Sequence, residues 1–427
     1  MPDRWVINAQ SMGDPTLLYP RLLEPALLDR LRRSPVVVVT GARQVGKTTL
    51  VRSVPAAASR RFLTLDSLTT LDQARREPEA LVEAPEPITV DEVQRAPDLL
   101  VAIKRAVDAD RRRGRFLLTG STNLLLRRDV GESLAGRAVY LVLRPLTERE
   151  KRKAPSGSPW KKLLEAESPE AAQHALDPPR PFDWRTAALV GGFPPAALAS
   201  EADDRHLWFE GYVDTYVQKD LRDLAQVGDL AAFLRLMRLA ALRTGGLLNQ
   251  AELARDASVS RTSAQRWLSI LEASFLLTLL PAFAESRAKR LIKAPKLYAG
   301  DTGLALHLCG ILEAEALGRE PNVGVWLENI VLNDLLAWRE TEIIKPGLFF
   351  RRTVTGEEVD LVLERGKRVL PIEVKAARNV RVSDARALDA FCAEFPRRAA
   401  CGLLLYDGRE ILRLTKTTVA APLGSVL

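Results

Sequence analysis

The first third of the chain alternates short apolar runs with longer amphipathic stretches. The runs are VVVV at residues 36–39, FLTL at 62–65, ITV at 88–90, FLL at 116–118 and VYLVL at 139–143. Runs this short and this rich in β-branched residues predict strands. The uninterrupted ones predict strands buried on both faces of a parallel sheet. Helical segments between them supply the crossovers that right-handed βαβ units need. Polar residues follow each run: a glycine-containing turn after the first, Asp66 after the second, Asp91 and Glu92 after the third. Thr119, Gly120 and Ser121 follow the fourth, and Arg144 the fifth.

Beyond residue 150 the pattern changes. KRKAPSGSPWKK, residues 151–162, is basic and punctuated by Pro and Gly, which predicts a linking segment and not a core element. HLWFEGYVDTYVQKDLRDLAQV, residues 206–227, predicts one amphipathic helix with Leu207, Tyr212, Tyr216 and Leu221 on one side, and Asp220 and Arg222 near its end. AELARDA, ASVS and RTSAQRWLSILE, residues 251–272, have the rhythm of a helix-turn-helix. In that reading Trp267, Leu268 and Leu271 face inward, and Arg261, Thr262, Gln265 and Arg266 face outward. FLLTLLPAF (275–283) and PKLYAGD (295–301) predict the two strands of a wing. The segment between them carries Arg287, Lys289, Arg290 and Lys293, a basic tip suited to phosphates. Asp301 reads as structural. A new unit begins near residue 313, with a helix over GVWLENIVLNDLLAWRE (324–340), several strands over 345–377, a helix at 388–395 and a strand at 401–408.

Composition narrows the class. The 427 residues are 47% hydrophobic and 27% charged, the balance of a globular protein of two or three domains. The expected boundaries are 1–150, 151–312 and 313–427. No apolar run reaches the roughly 18 residues of a membrane span, the polar N-terminal arm does not read as a signal peptide, and a cytoplasmic protein is expected. Three cysteines (Cys309, Cys392, Cys401) and three scattered histidines argue against a disulfide framework or a transition-metal site. The net charge of +8 is compatible with nucleic-acid binding, although an arginine-rich composition also follows from a GC-rich genome.

The first strand leads into Gly41, Ala42, Arg43, Gln44, Val45, Gly46, Lys47, Thr48 and Thr49, a G-x-x-x-x-G-K-[ST] loop between a strand and a helix. Its glycines let backbone N–H groups turn inward onto phosphates, and the helix that follows adds its positive end. Lys47 would neutralise the β- and γ-phosphates and Thr48 would hold Mg²⁺. Asp91 would anchor that ion through water, and Glu92 would orient and polarise the attacking water. A polar residue at the tip of the fourth strand (Thr119, Ser121 or Asn123) could sense the γ-phosphate; Ser121 is favoured.

GARQVGKTTL, TLD, ITVDEVQRAP, LLTGSTN and ESLAGRAVYLVLRPLTERE together resemble the AAA-type ATPases of bacteria and archaea, whose P-loop core precedes a C-terminal region of unknown function. Gly191, Gly192, Phe193 and Pro194 are similar to the signature that follows the core in that family. The resemblance implies a core of the additional-strand type, with Glu92 as catalytic base, and assembly into a homo-oligomeric ring, such as a hexamer. It also implies that Arg137 reaches a neighbouring subunit's nucleotide; a plain surface salt bridge is an equal alternative.

The stretch EVDLVLERGKRVLPIEVK, residues 358–375, sets two apolar runs around a basic turn. Strand periodicity puts Glu373 and Lys375 on one face, and Asp360 arrives at the same end from the preceding run. Helix, hairpin, Glu-x-Lys strand, helix and strand resemble the restriction-endonuclease-like PD-(D/E)XK fold, with Val359 in place of its proline. That resemblance implies a hard-cation site of Glu328, Asp360 and Glu373, with Lys375 beside the attacked phosphate. The alternatives are a solvated Glu373–Lys375 ion pair, or a fold kept for binding without cleavage.

The expected fold class is therefore α/β: a parallel-sheet P-loop core, a helical lid with a winged-helix module, and a C-terminal α/β domain of endonuclease-like type. The expected activity is Mg²⁺-dependent ATP hydrolysis coupled to binding and remodelling or translocating DNA. The alternatives are an ATP-gated switch acting on protein partners, as in defence or toxin–antitoxin signalling, and an ATP-controlled nuclease.

Overall fold

A computed structural model describes residues 19–120, 134–215 and 229–427, apart from Ser156 and Val354. Five parallel strands form the first sheet: β1 (Val36–Thr40), β2 (Arg61–Thr64), β3 (Ile88–Asp91), β4 (Phe116–Thr119) and β5 (Ala138–Val142). Their order is β2-β3-β4-β1-β5. The valine run sits where it must, because a central strand has two faces to bury. Val37 and Val39 pack toward Leu27 and Leu31 of the helix Glu24–Arg33. Val36 and Val38 pack toward Leu99, Ile103 and Val107 of the helix Pro97–Ala109 on the other side. The edge strands β2 and β5 are only partly buried.

The middle of the chain is helical. Gln250–Asp256 and Arg261–Ala273 form the expected helix-turn-helix, capped by Asn249 and Ser260, whose side chains accept from the backbone N–H groups of Glu252 and Ser263. The turn passes through Ser258 at φ 57°. Trp267, Leu268 and Leu271 are buried, with Trp267 edge-on to Phe233. The two wing strands are β6 (Leu277–Leu280) and β7 (Lys296–Ala299), antiparallel and joined through a short helix, Arg287–Ile292. One expectation fails in the helix Ala202–Thr215. It buries Phe209, Tyr212 and Val213 but leaves Leu207 57% exposed, so its apolar positions do not form the predicted stripe. Tyr216, Asp220, Leu221 and Arg222 lie outside the described residues.

The C-terminal sheet is mixed, in the order β12-β13-β11-β10-β9-β8. Its strands are β8 (Gly347–Arg352), β9 (Glu358–Arg365), β10 (Arg368–Lys375), β11 (Gly402–Tyr406), β12 (Leu412–Arg413) and β13 (Thr418–Pro422). β9 and β10 meet at a two-residue turn with Gly366 at φ 60°, a conformation that glycine tolerates and other residues resist. Residues of β9, β10 and β11 serve two cores, alternating except at the register shift of β8 and β9, where Val359 and Leu361 face opposite sides. Leu361, Leu363, Leu370, Ile372, Leu403 and Leu405 face the long helix Gly324–Thr341. Val359, Val362, Val369 and Leu404 face the helix Arg386–Glu394.

The segment that reads as a linker is partly core. Trp160, in the middle of the basic run, is fully buried and opens the helix Trp160–Glu165. Trp160 and Trp184 share a core with Trp326, Leu327 and the C-terminal strands. Charge and proline in the surrounding residues masked one anchoring aromatic, which was enough to hold the segment down. Trp160 Nε1 donates to Asp334 at 2.6 Å, and burial raises the Asp334 carboxyl to about 6 despite that bond.

A buried acid raised from 3.8 to about 6 holds its proton more tightly folded than unfolded. Its contribution to stability is therefore present at low pH and is lost as pH rises through that interval. A stability–pH profile should show this loss, on the order of 3 kcal/mol, in the wild type. Asp334→Asn should flatten the same interval, because an amide does not titrate there.

Candidate functional site

The phosphate loop is built on conformations that glycine supplies. Gly41 adopts φ 149°, and a Cβ there would stand 2.2 Å from the carbonyl oxygen of Leu143. Gly46 adopts φ 93° at the entry to the helix Lys47–Ser53. Gln44 between them takes φ 59°, a left-handed conformation uncommon for a residue with a side chain. Lys47 is buried, and its Nζ donates to the carbonyls of Gly41 at 3.1 Å and Ala42 at 2.8 Å, so the ammonium spans the loop. Arg43, Gln44 and Thr49 are exposed along the same loop.

The loop and the third strand meet at Asp91. Thr48 Oγ1 donates to its two oxygens at 2.9 and 3.0 Å, and Thr119 Oγ1 bonds the same carboxylate from the tip of β4. Glu92 follows at φ 58°, another left-handed non-glycine residue, with its backbone N–H donating to Thr119 Oγ1 at 3.3 Å. Gln94 Nε2 donates to the Glu92 carboxylate. Strained backbone at Gln44 and Glu92 is the kind of conformation that persists when its surroundings over-determine it. A threonine, a buried aspartate and a lysine converging on a glycine loop fit a nucleotide with its Mg²⁺. Thr119, one of the three candidates at the strand tip, joins this network; Ser121 and Asn123 lie outside the described residues.

Two residues missing from the sequence reading complete the loop. Arg21 is buried and donates to Val45 O at 2.7 Å, Arg144 O at 2.5 Å and Glu150 Oε1 at 3.0 Å. Trp208 Nε1 donates to Gln44 Oε1 at 3.0 Å and stacks on Tyr212 at 5.1 Å, with Phe193 5.4 Å away. Arg21 has no motif around it, so local sequence offered no signal. Trp208 belonged to an aromatic cluster that reads as lid packing, and it does pack there while also touching the loop. The Gly191–Gly192 pair has a steric reason: a Cβ on Gly191 would stand 2.4 Å from Asp301, which accepts from Gly192 N at 2.6 Å and caps the helix Thr302–Leu308. Asp301 is structural, as expected.

Arg137 forms a forked ion pair with Asp108, at 2.7 and 2.8 Å. Each partner favours the other's charged form: the Asp108 bond raises Arg137, and the Arg137 bond lowers Asp108. The salt-bridge alternative therefore describes this structure, and a role at a neighbouring subunit would require Arg137 to exchange Asp108 for phosphate.

Residues 33–151 match the AAA domain family, residues 181–315 a domain of unknown function (DUF8612), and residues 323–426 another (DUF4143). Over 400 residues the chain is 32% identical to the uncharacterized protein Rv2008c of Mycobacterium tuberculosis, covering 93% of this chain and 82% of that one. The chain belongs to the Rv2008c family. The uncharacterized protein Mb2031c of Mycobacterium bovis has the same identity and coverage. Among solved structures, the Walker-type ATPase PABY2304 of Pyrococcus abyssi is similar at a TM-score of 0.40 and 14% identity, over 68% of this chain and 96% of that one. RuvB of Thermotoga maritima is similar at a TM-score of 0.29 and 17% identity, over 63% and 93%. For this member of the Rv2008c family, the AAA match and the loop geometry agree on a P-loop ATPase domain of AAA-like type.

On the helix-turn-helix of this Rv2008c-family chain, Arg261, Thr262, Gln265 and Arg266 are exposed, as are Lys289 and Lys293 near the wing tip. Arg290 departs from expectation: it pairs with Glu364 of β9 at 2.5 Å and lies over the rings of Phe283 and Phe349. It fastens the wing to the C-terminal unit and is not a free phosphate contact. The Arg287 side chain lies outside the described residues.

The C-terminal carboxylates are held by groups from several elements. Among the described residues, no group of three or more His, Cys, Asp or Glu side chains is arranged to hold a metal ion. Glu328, Asp360 and Glu373 each make contacts within the fold, and one Glu373 oxygen, Oε2, is buried without a hydrogen-bond partner. Asp360 accepts from Val374 N at 2.8 Å, and Glu373 pairs with Lys375 at 2.6 Å. Glu328 accepts from Lys296 Nζ at 3.2 Å and from the Tyr298 hydroxyl. Burial, and then the Asp360 charge, raise Glu328 to about 8 and Glu373 to about 7. Glu358, two residues before Asp360 and so on its face of β9, pairs with Lys296 as well. Strand periodicity could have found Glu358. Nothing near the motif announced Lys296, which comes from the wing.

Two outcomes follow from the loop contacts. Arg21→Met leaves Glu150, 2% exposed, without its counter-charge, and urea unfolding should register a loss of about 3–5 kcal/mol; adding Glu150→Gln should recover part of it. Nucleotide addition should change Trp208 fluorescence in the wild type. Trp208→Phe keeps the ring stack, lacks the N–H, and should lose that component of the difference spectrum; identical difference spectra would make the contact indifferent to nucleotide.

Proposed function

We propose that this protein hydrolyses ATP at the P-loop and uses the cycle to act on DNA through its helix-turn-helix and wing. The observation that carries the first half is the Thr48–Asp91–Thr119 network beside Lys47. A carboxylate, a hydroxyl and an ammonium around one glycine loop are the groups that a phosphate and its cation require. Thr48 and Asp91 would hold Mg²⁺, which would supply charge neutralisation for the phosphates. Lys47 exchanges its carbonyl partners for phosphate oxygens, and the loop N–H groups orient them. Glu92, held by Gln94 and by its bond to Thr119, orients the attacking water and takes its proton. Arg137, once released from Asp108, is the residue suited to a neighbouring subunit's nucleotide in a homo-oligomeric ring.

The second half is supported by an exposed helix face carrying Arg261, Thr262, Gln265 and Arg266. At the wing tip, exposed Leu291 and Ile292 lie between Lys289 and Lys293. Cations around an apolar pair suit phosphates beside a base step. The chain's net charge of +8 has the sign that DNA requires.

Lys47→Ala should lower ATP turnover by about 100-fold or more, measured as phosphate release. DNA should stimulate wild-type turnover. Arg261→Ala with Arg266→Ala should weaken DNA binding and reduce its log–log salt slope by about 2, with basal turnover unchanged. Turnover indifferent to every form of DNA would remove the DNA half and leave the ATPase half standing; an ATP-gated contact with a protein partner would then be the better reading.

A further inference from the structure

The lysine inside the carboxylate corner belongs to another part of the fold. Lys296 opens β7 of the wing, and its side chain shares a face with that of Tyr298, two residues on. Both reach the same oxygen of Glu328 on the helix Gly324–Thr341. The ammonium also pairs with Glu358 of β9, and the Asp360 carboxylate adds to the negative field around it. Its stem passes between aromatic faces, with Nζ 6.0 Å from the Tyr298 ring and 5.6 Å from the Phe350 ring. Lys296 is only 5% exposed.

The backbone that carries it is fixed from several sides. Asn329, adjacent to Glu328 and fully buried, accepts from Ala299 N at 3.0 Å and donates to Ala299 O at 2.9 Å. Phe283 N donates to Phe350 O at 2.6 Å, and Phe350 N to Pro281 O at 3.1 Å, joining the end of the β6 segment to β8. Arg290 holds Glu364 near the far end of β9. Lys296 is thus delivered by a strand that cannot shift without breaking paired backbone groups.

A hard divalent ion here would compete with the ammonium for Glu328 Oε1 and Glu358 Oε1, and the two cations would repel at close range in a buried site. We propose that Lys296 is the resident cation of this corner: it takes the place of a metal ion among Glu328, Glu358 and Asp360, closes the corner to divalent cations, and fastens the wing to the C-terminal unit. The corner is an internal latch in which a lysine supplies the positive charge.

Manganese titration of the full chain without nucleotide, read by the electron-spin resonance of free Mn²⁺, tests this. The P-loop is common to all variants, so differences between them report the corner. Lys296→Met keeps most of the stem and removes the charge; it should bind Mn²⁺ at least about tenfold more tightly than the wild type, and adding Asp360→Asn should abolish the gain. In the wild type, Asp360→Asn and Glu328→Gln should leave Mn²⁺ binding unchanged. Wild-type Mn²⁺ binding that either of these substitutions removes would overturn the proposal. So would a Lys296→Met protein with native circular dichroism and no gain in Mn²⁺ affinity. If Lys296→Met does not fold, the two carboxylate variants decide alone: unchanged binding upholds the lysine as resident cation, and lost binding rejects it.

Discussion

The ion pair between Arg21 and Glu150 lies where the phosphate loop, the chain leading into the first helix and the C-terminal unit come together. Both partners are buried, so neither charge can be left to solvent. Glu150 accepts from Arg21 Nε and Leu22 N through one oxygen and from Thr147 N through the other, closing the capping box of the helix Glu148–Lys151. The remaining guanidinium donors of Arg21 go to Val45 in the loop and to Arg144 after β5. From the same short helix Arg149 reaches Val426 O and Asp177, and Arg152 reaches Leu427 O. One buried charge pair thus sets the phosphate loop and the seat of the C-terminal residues together. Removing either partner leaves the other uncompensated, the costly case for a buried ion pair.

A second set of contacts runs from the loop to the wing. Gln44 is held by Trp208, Trp208 stacks beside Phe193 and Tyr212, and Phe193 follows the glycine pair that Asp301 holds. Asp301 comes shortly after β7, and β7 begins with the lysine buried among the C-terminal carboxylates. Burial raises the Asp301 carboxyl, opposed by the backbone N–H groups it accepts, so its position is held by bonds that would be costly to break. The loop, the helical middle and the carboxylate corner are therefore packed contiguously, and a change in loop geometry has a physical route to the wing.

What was legible in the sequence was local. The valine run, the glycine loop and the acid pair announced their places because each depends on neighbours a few residues away: strand period, left-handed backbone, a carboxylate at a strand tip. The two helices of the helix-turn-helix are legible for the same reason; their caps, Asn249 and Ser260, come from the structure. Strand periodicity puts Glu373 and Lys375 on one face of β10, and the structure pairs them there. Local pattern misleads where a residue's packing partners are distant in sequence. Trp160 looked like part of a linker because its neighbours are lysine, proline and glycine, yet its ring fills a core built from residues near 184, 326 and 423.

The sequence by itself determined an AAA-like P-loop core, a helical middle with an exposed basic helix face, and a C-terminal strand hairpin ending in acids. Only the tertiary structure decided which charges meet. Arg21 meets Glu150 across 129 positions, and Lys296 enters the carboxylate corner from a hairpin expected to point its basic residues at DNA. The reason is that short-range order follows from backbone period and steric preference, which any window of residues carries. The partner of a buried charge depends on which distant segments the folded core brings within a hydrogen bond, because a charge taken from water must find a counter-charge there.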